Sequence, residues 1–340
     1  MRWRVIAAGA ALLCAAMAGQ SAAVSDRPIV IAHRGASGLR PEHTIASYTL
    51  AIEQGADFIE PDLVLTRDGV FMCRHENEIS GTTDVADHPE FAARRTTKLI
   101  DGQRLTGWFT EDFTLAELKT LRARERLPAL RPANTAYDGR FDIPTLDEVI
   151  ALAQARHVGI YPETKHPSYF ASIGLPMEAR LVAKLKAAGW NARTAPVFIQ
   201  SFEVNNLKAL RRLTKVRLIQ LIDAEGGPAD GAEASYKAMI TPEGLRRVAT
   251  YADGIGPNKA LVWRGEGPPT PLVRDAHRAG LKVHPWTMRA ENVFLPQALR
   301  QGSDPAAHGR IGDEIAAYVG FGVDGFFTDF PAEGRAAVPR

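Results

Sequence analysis

The feature of this 340-residue chain that most narrows its fold is an alternation repeated along most of its length: short runs rich in β-branched residues, each followed by a longer segment with helical periodicity. An apolar run bounded by turn residues reads as a buried strand, and apolar residues spaced three and four apart read as one face of a helix. The strand runs are Pro28–His33, Asp57–Leu65 with a hairpin return at Val70–His75, Val158–Glu163, Val197–Ser201, Arg217–Ile222, Asp253–Pro257, Lys282–Trp286 and Asp324–Thr328. Helical segments lie near Thr44–Gln54, Thr145–Ala155, Met177–Ala188, Val204–Leu213, Pro242–Tyr251, Pro271–Ala279, Glu291–Arg300 and Gly312–Val319. Strands joined by helical crossovers are parallel, and eight such units predict an α/β fold, a closed (β/α)8 TIM barrel. An open doubly wound sheet is the alternative, because strand order is not visible in a sequence.

One stretch breaks the rhythm. Residues 76–143 show no parallel-strand pattern; they hold Gly-Thr-Thr-Asp at 81–84, Asp101-Gly102, Gly107-Trp108 and a helical pattern at Thr114–Ala123. That is too long for an ordinary barrel loop, so it reads as an insertion after the second strand, folded over the barrel mouth. A separate domain is the other reading, but no Pro/Gly/Ser-rich linker flanks the stretch.

Residues 1–23 stand apart from the barrel pattern. Arg2 and Arg4 precede an apolar run from Val5 to Ala18 and the small residues Ser21-Ala22-Ala23. This order predicts a secretory signal peptide, hence an exported, periplasmic or secreted protein whose barrel domain is 24–340. The apolar run is short of the about 20 residues that span a bilayer, so no stable membrane insertion is expected. Removing the leader turns 41 basic and 39 acidic residues into 39 of each. A chain without basic excess is not suited to nucleic acid. Cleavage also removes Cys14 and leaves Cys73 alone, so no intramolecular disulfide forms. Oligomeric state is not legible.

In such barrels reactive groups sit at the C-terminal ends of the strands. Here those ends carry His33 with Arg34, Glu60 and Asp62, His75, Glu163 with Lys165, Gln200-Ser201, Lys259, Trp286 and Asp329. Glu60 and Asp62 are two apart on a strand and share a face; with Glu163 they form an oxygen set for one hard divalent cation, Ca²⁺ or Mg²⁺. A solvated strand end looks the same until it has company. Histidines at two strand ends beside carboxylates supply a general acid and a general base. Arg34 has the planar fork that fits phosphate, and Gly35 lets the backbone turn closely. Lys165 either holds a phosphoryl oxygen or pairs with Glu163. Trp286 is either an apolar wall for the substrate or core. Cys73 reads as a small buried side chain, and Asp223, Glu225 and Asp230, in a Gly-rich loop, read as solvated.

Taken together, His33-Arg34-Gly35-Ala36-Ser37-Gly38, Pro41-Glu42-His43-Thr44, Gly55-Ala56-Asp57-Phe58-Ile59-Glu60-Pro61-Asp62 and Thr66-Arg67-Asp68-Gly69 resemble the glycerophosphodiester phosphodiesterase family. The resemblance continues through His75, Pro162-Glu163-Thr164-Lys165, Gln200-Ser201-Phe202 and Asp324-Gly325-Phe326-Phe327-Thr328-Asp329, so it covers about residues 28 to 331. It implies a barrel with an insertion after its second strand, and hydrolysis of a small glycerophosphodiester to sn-glycerol 3-phosphate and an alcohol. By motif position it implies His33 and His75 as catalytic residues, Arg34 as phosphate contact, and Glu60, Asp62 and Glu163 as metal ligands, with Glu42 near the metal. The sequence departs from the family pattern at Pro61, where a residue with a backbone donor is also common, and at Glu76, where many members carry Asp. The resemblance leaves open water or the substrate's own glycerol 2-hydroxyl as nucleophile. It also leaves a lysophospholipase D-like activity and a non-catalytic phosphodiester-binding role as rival readings.

Overall fold

The computed structural model describes residues 27–339, so the leader expected at 1–23 lies outside the described residues. Its strands are β1 Ile29–His33, β2 Phe58–Glu60, β3 Asp62–Leu65, β4 Phe71–Cys73, β5 Thr96–Ile100, β6 Gln103–Gly107, β7 Gly159–Ile160, β8 Glu163–Thr164, β9 Phe198–Ser201, β10 Arg217–Ile222, β11 Gly254–Pro257, β12 Lys282–Val283 and β13 Gly325–Thr328. Two prolines explain why some of these are halves. Pro61 has no N–H for the ladder, so the second barrel strand is split into β2 and β3; Pro162 likewise separates β7 from β8. Pairing runs β13-β1-β2-β7 in one sheet and β12-β11-β10-β9-β8-β3-β4 in the other, and the split strands join the two. The remaining seam closes through Phe327 N–H to Pro285 O at 3.0 Å and Met288 N–H to Phe327 O at 2.8 Å. Apart from the β3–β4 pair, every pairing in these two sheets is parallel. The fold is a (β/α)8 barrel.

Because side chains alternate along a strand, β1 sends Ile31 inward and Val30 and Ala32 towards the helices. Ile31, Tyr161, Phe198, Ile219 and Phe327 fill the barrel interior. Tyr161 stacks on Phe198 with centroids 4.9 Å apart, and its hydroxyl meets His284 Nδ1 at 2.7 Å. Each such ring is worth roughly 1.5–3 kcal/mol in buried area, so the barrel has a solid floor beneath its mouth.

Residues 76–143 contain none of the barrel strands. They form the β5–β6 hairpin, whose Asp101-Gly102 turn has φ of 49° and 79°, and several single-turn helices. Positive φ at both turn residues is the two-residue geometry that matches strand twist. The hairpin escapes the sequence reading because both its faces are largely exposed and carry no apolar alternation. Two helical expectations need correction. Thr114–Ala123 forms only Leu115–Leu118, opened by a Thr114/Glu117 capping box; beyond it Arg122 and Ala123 are taken into bridges with Asp142 and Thr83. Glu291–Arg300 is two 3₁₀ turns, because Pro296 interrupts it and the Asn292 side chain donates to Gln301 O and Asp304 O, both at 2.8 Å. The expected strand to Trp286 stops at Val283, before Pro285.

Candidate active site

Local backbone at the end of β1 sets the site. Arg34 and Gly35 both have positive φ, 60° and 87°. A Cβ on Gly35 would lie 2.4 Å from Ser47 Oγ, so only glycine fits there. The left-handed turn at Arg34 is a strained conformation kept by its surroundings. It aims the Arg34 N–H at Glu60 Oε2, 2.9 Å away, while the guanidinium donates to Glu42 Oε2 at 2.9 Å and lies 3.3 Å from Asp62 Oδ2.

The ends of β2, β3 and β8 bring Glu60, Asp62 and Glu163 together, with one oxygen of each within 4.8 Å of the others. All three are buried. Burial, then the charges of Asp62 and Glu163, push the Glu60 carboxyl well above its ordinary range. Burial also raises Glu163, to about 8, although Lys165 Nζ sits 2.8 Å from it. Asp62 is drawn low against its burial by Lys165, His75, a hydrogen bond from His43 and Arg34. Its second oxygen, Oδ1, is buried without a hydrogen-bond partner. Three crowded hard oxygens, one of them unsatisfied, fit an oxygen-seeking divalent cation.

The two histidines each rest on a carboxylate. His33 Nδ1 meets Asp329 Oδ1 at 2.6 Å, and Arg131 and Arg289 hold the other Asp329 oxygen at 2.6 and 2.9 Å. Burial and the Arg34 charge push His33 down to about 4 despite Asp329. His75 Nδ1 makes a short contact with Glu76, and its Nε2 lies 3.2 Å from Lys165 Nζ. Burial, Arg34 and Lys165 lower its pKa too, though the ring keeps 30% of its surface open to the cleft. Both imidazoles are therefore neutral near pH 7 and able to accept a proton.

A cavity of about 370 Å³ opens over this cluster. It is lined by His33, Arg34, Glu60, His75, Glu163 and Lys165, and on its far side by Phe202, Leu221, Asp223, Trp286 and Arg289. Lys165 thus both pairs with Glu163 and faces the cavity. Trp286 likewise serves two ends: its ring faces the cavity, T-shaped on Phe202 at 5.8 Å, while its Nε1–H donates to Gly256 O at 2.8 Å. Asp223 is a correction, since it lines the cavity instead of standing in solvent. Lys259 is another: it turns away to Glu314 at 2.7 Å. Sequence reasoning missed Arg131 and Arg289, because no motif marks an arginine that arrives from a distant loop.

Cleaving a phosphate ester requires positive charge at phosphorus and two proton transfers. This mouth has groups for both, and by fold and site the chain is an α/β-barrel phosphoesterase. Comparison with known proteins narrows the class. Residues 33–333 match the Glycerophosphoryl diester phosphodiesterase family, and the chain belongs to it. It is 39% identical over 325 residues to glycerophosphodiester phosphodiesterase GDPD6 of Arabidopsis thaliana, covering 90% of this chain and 84% of that one. It is 31% identical over 344 residues to the Haemophilus influenzae glycerophosphodiester phosphodiesterase, covering 91% and 89%. Among solved structures, an Oleispira antarctica phosphodiesterase in complex with the product sn-glycerol-3-phosphate superposes with a TM-score of 0.63 at 23% identity, covering 92% of this chain and 96% of that one. A Silicibacter pomeroyi relative reaches 0.65 at 23%, covering 92% and 93%.

Proposed function

We propose that this phosphodiesterase hydrolyses glycerophosphodiesters to sn-glycerol 3-phosphate and an alcohol, with His33 and His75 exchanging the protons and one divalent cation, Ca²⁺ or Mg²⁺, held by Glu60, Asp62 and Glu163. The observation that carries the reading is the convergence of two histidine–carboxylate pairs and the acidic triad on one cavity. When bound, the cation supplies charge neutralisation at the phosphoryl group.

Arg34 and Lys165 face the cavity with fixed positive charge and bind the phosphodiester anion. Arg34 is held for that task by Glu42 and Asp62. The bound anion lifts the depressed histidine pKa values back towards neutrality. One imidazole then removes the nucleophile's proton, and the other protonates the departing alcohol. Asp329 and Glu76 keep each ring in one orientation and stabilise its protonated form. The substrate's own glycerol 2-hydroxyl is the favoured nucleophile, because a hydroxyl already near phosphorus gains from proximity; water then opens the cyclic phosphate. Trp286 and Phe202 wall the cavity.

Turnover of glycerophosphocholine, assayed after chelation and again with each metal restored, tests the reading. Loss on chelation and recovery with Ca²⁺ or Mg²⁺ supports it; undiminished turnover in chelator refutes the cation. Rapid hydrolysis of a diester lacking the 2-hydroxyl refutes the cyclic route. The composition of residues 1–23 further supports an exported enzyme, and N-terminal sequencing of the mature protein, with Val24 first, checks it.

A further inference from the structure

Both histidine-bearing carboxylates are themselves gripped by arginines from one short stretch of the insertion. Arg126 spans two acids: its Nε and one terminal nitrogen reach Glu42 at 2.8 and 2.6 Å, and its two terminal nitrogens reach Glu76 at 2.9 and 2.7 Å. Glu42 holds Arg34, and Glu76 holds His75. Five residues on, Arg131 reaches Glu291 and Asp329, both at 2.6 Å, and Ser37 O at 2.9 Å. Asp329 holds His33. Neither arginine lines the cavity, so each acts through another residue. The stretch between them is itself fixed, by Leu127 N–H to Glu125 Oε1 at 2.8 Å, by Asn134 to Glu125 Oε2 at 2.9 Å, and by Pro128.

We propose that residues 126–131 of the insertion are a positioning element for catalysis: Arg126 orients His75 through Glu76 and Arg34 through Glu42, and Arg131 orients His33 through Asp329. The inference rests on the histidine reading above. The Arg126–Glu42 half of the fork, with Glu42 6% exposed, contributes to folding, but in the Arg126–Glu76 half the side chains are 26% and 31% exposed, and an ion pair that wet contributes little. What the double fork does supply is direction, since a guanidinium bridging two carboxylates allows neither to rotate. The insertion thereby ties three groups that face the phosphodiester to one rigid segment. Groups that hold a reacting residue in line cost turnover when removed, while substrate contacts remain.

The test is a cycle of Arg126→Gln, Glu76→Gln and the double variant, read by kcat, KM and thermal unfolding. Arg126→Gln is expected to lower kcat about 10- to 100-fold with KM changed less than about threefold, because Arg34 keeps its direct contacts with Glu42 and Asp62. Most of that loss should vanish in the Glu76→Gln background, because both changes break the same support. Arg124→Gln, which removes an exposed partner of Asp87 from the same region, should keep the parental rate. Removing Arg131 would strand Glu291 and Asp329 in the interior, so Arg131→Lys is used there: it keeps the charge and loses the fork, and kcat falls while KM holds. A parental kcat in Arg126→Gln, fully additive losses, or a kcat loss seen only where the protein unfolds overturns the inference. An inactive His75→Ala beside a fully active Arg126→Gln overturns this inference alone. A fully active His75→Ala overturns the histidine reading and the inference with it.

Discussion

Replacing Asp329 with Asn isolates the electrostatic part of catalysis while keeping the shape of the site. The carboxylate is 2% exposed and lies 2.6 Å from His33 Nδ1. Asparagine preserves an acceptor oxygen for the ring but removes the charge that faces the imidazolium formed during turnover. Two unit charges about 4 Å apart interact by about 4 kcal/mol at an effective dielectric near 20. That value is an upper bound here, because Arg131 and Arg289 already share the Asp329 charge and hold it well below the ordinary carboxylate range. Halving it leaves about 2 kcal/mol, or roughly 30-fold in kcat. KM should move little, since Asp329 does not line the cavity. Release of glycerol phosphate measured from pH 5 to 9 is the assay, with thermal unfolding run on the same samples. Loss of the shared anion leaves Arg289 without this partner, so the melting temperature falls as well; the comparison is made where both proteins are folded. A folded Asp329→Asn enzyme with kcat within about threefold of the parent would refute the argument that Asp329 supports a charged His33.

The remaining predictions test other parts of the structure. Gly35→Ala combines a positive φ with a Cβ 2.4 Å from Ser47 Oγ; it should destabilise the protein by about 1–3 kcal/mol in chemical denaturation and reduce kcat by displacing Arg34. An unchanged midpoint would mean the turn is not strained. Glu203 is buried and its pKa is raised to about 7 by that burial, so the folded state holds a proton that the unfolded state loses above about 4.5. Stability should therefore fall as pH rises from about 5 to 7, and Glu203→Gln should flatten that part of the curve; identical slopes would count against it. Trp286→Ala opens the cavity wall and should raise KM more than it lowers kcat, a pattern that reverses if the ring mainly positions reacting groups.

The barrel was legible because its strands are buried on both faces and so read as continuous apolar runs between amphipathic helices. Strand interruptions at Pro61 and Pro162 follow from a missing N–H and were visible as residues, but which neighbour each half pairs with depends on register, which no local pattern encodes. The β5–β6 hairpin was invisible for a different reason. Leu99 is 62% exposed and the two strands bury only Ile100 and Gly107 at their ends, so the alternation that announces a strand never arises. The helix expected at Glu291–Arg300 failed because long-range hydrogen bonds from Asn292 outweigh a local periodicity of modest strength.

The site shows the same division between what is near in sequence and what is near in space. His33 with Arg34, and Glu60 with Asp62, were readable because one strand end delivers each pair. Glu163 follows once the third strand is placed beside the second, as the Asp62–Glu163 register places it. The groups that tune these residues arrive from far along the chain: Asp329 is 296 positions from His33, and Arg131 is 198 from Asp329. Asp329 was visible as a strand end, but its pairing with His33 and Arg131 leaves no periodic trace, and Arg131 alone looks like a solvated surface residue. Yet it is this distant set that holds the His33 carboxylate charged and in place, while burial and the nearby Arg34 and Lys165 charges keep the two rings neutral. The reacting groups are thus a property of the strand ends, and their readiness to react is a property of the loops and the insertion packed over them.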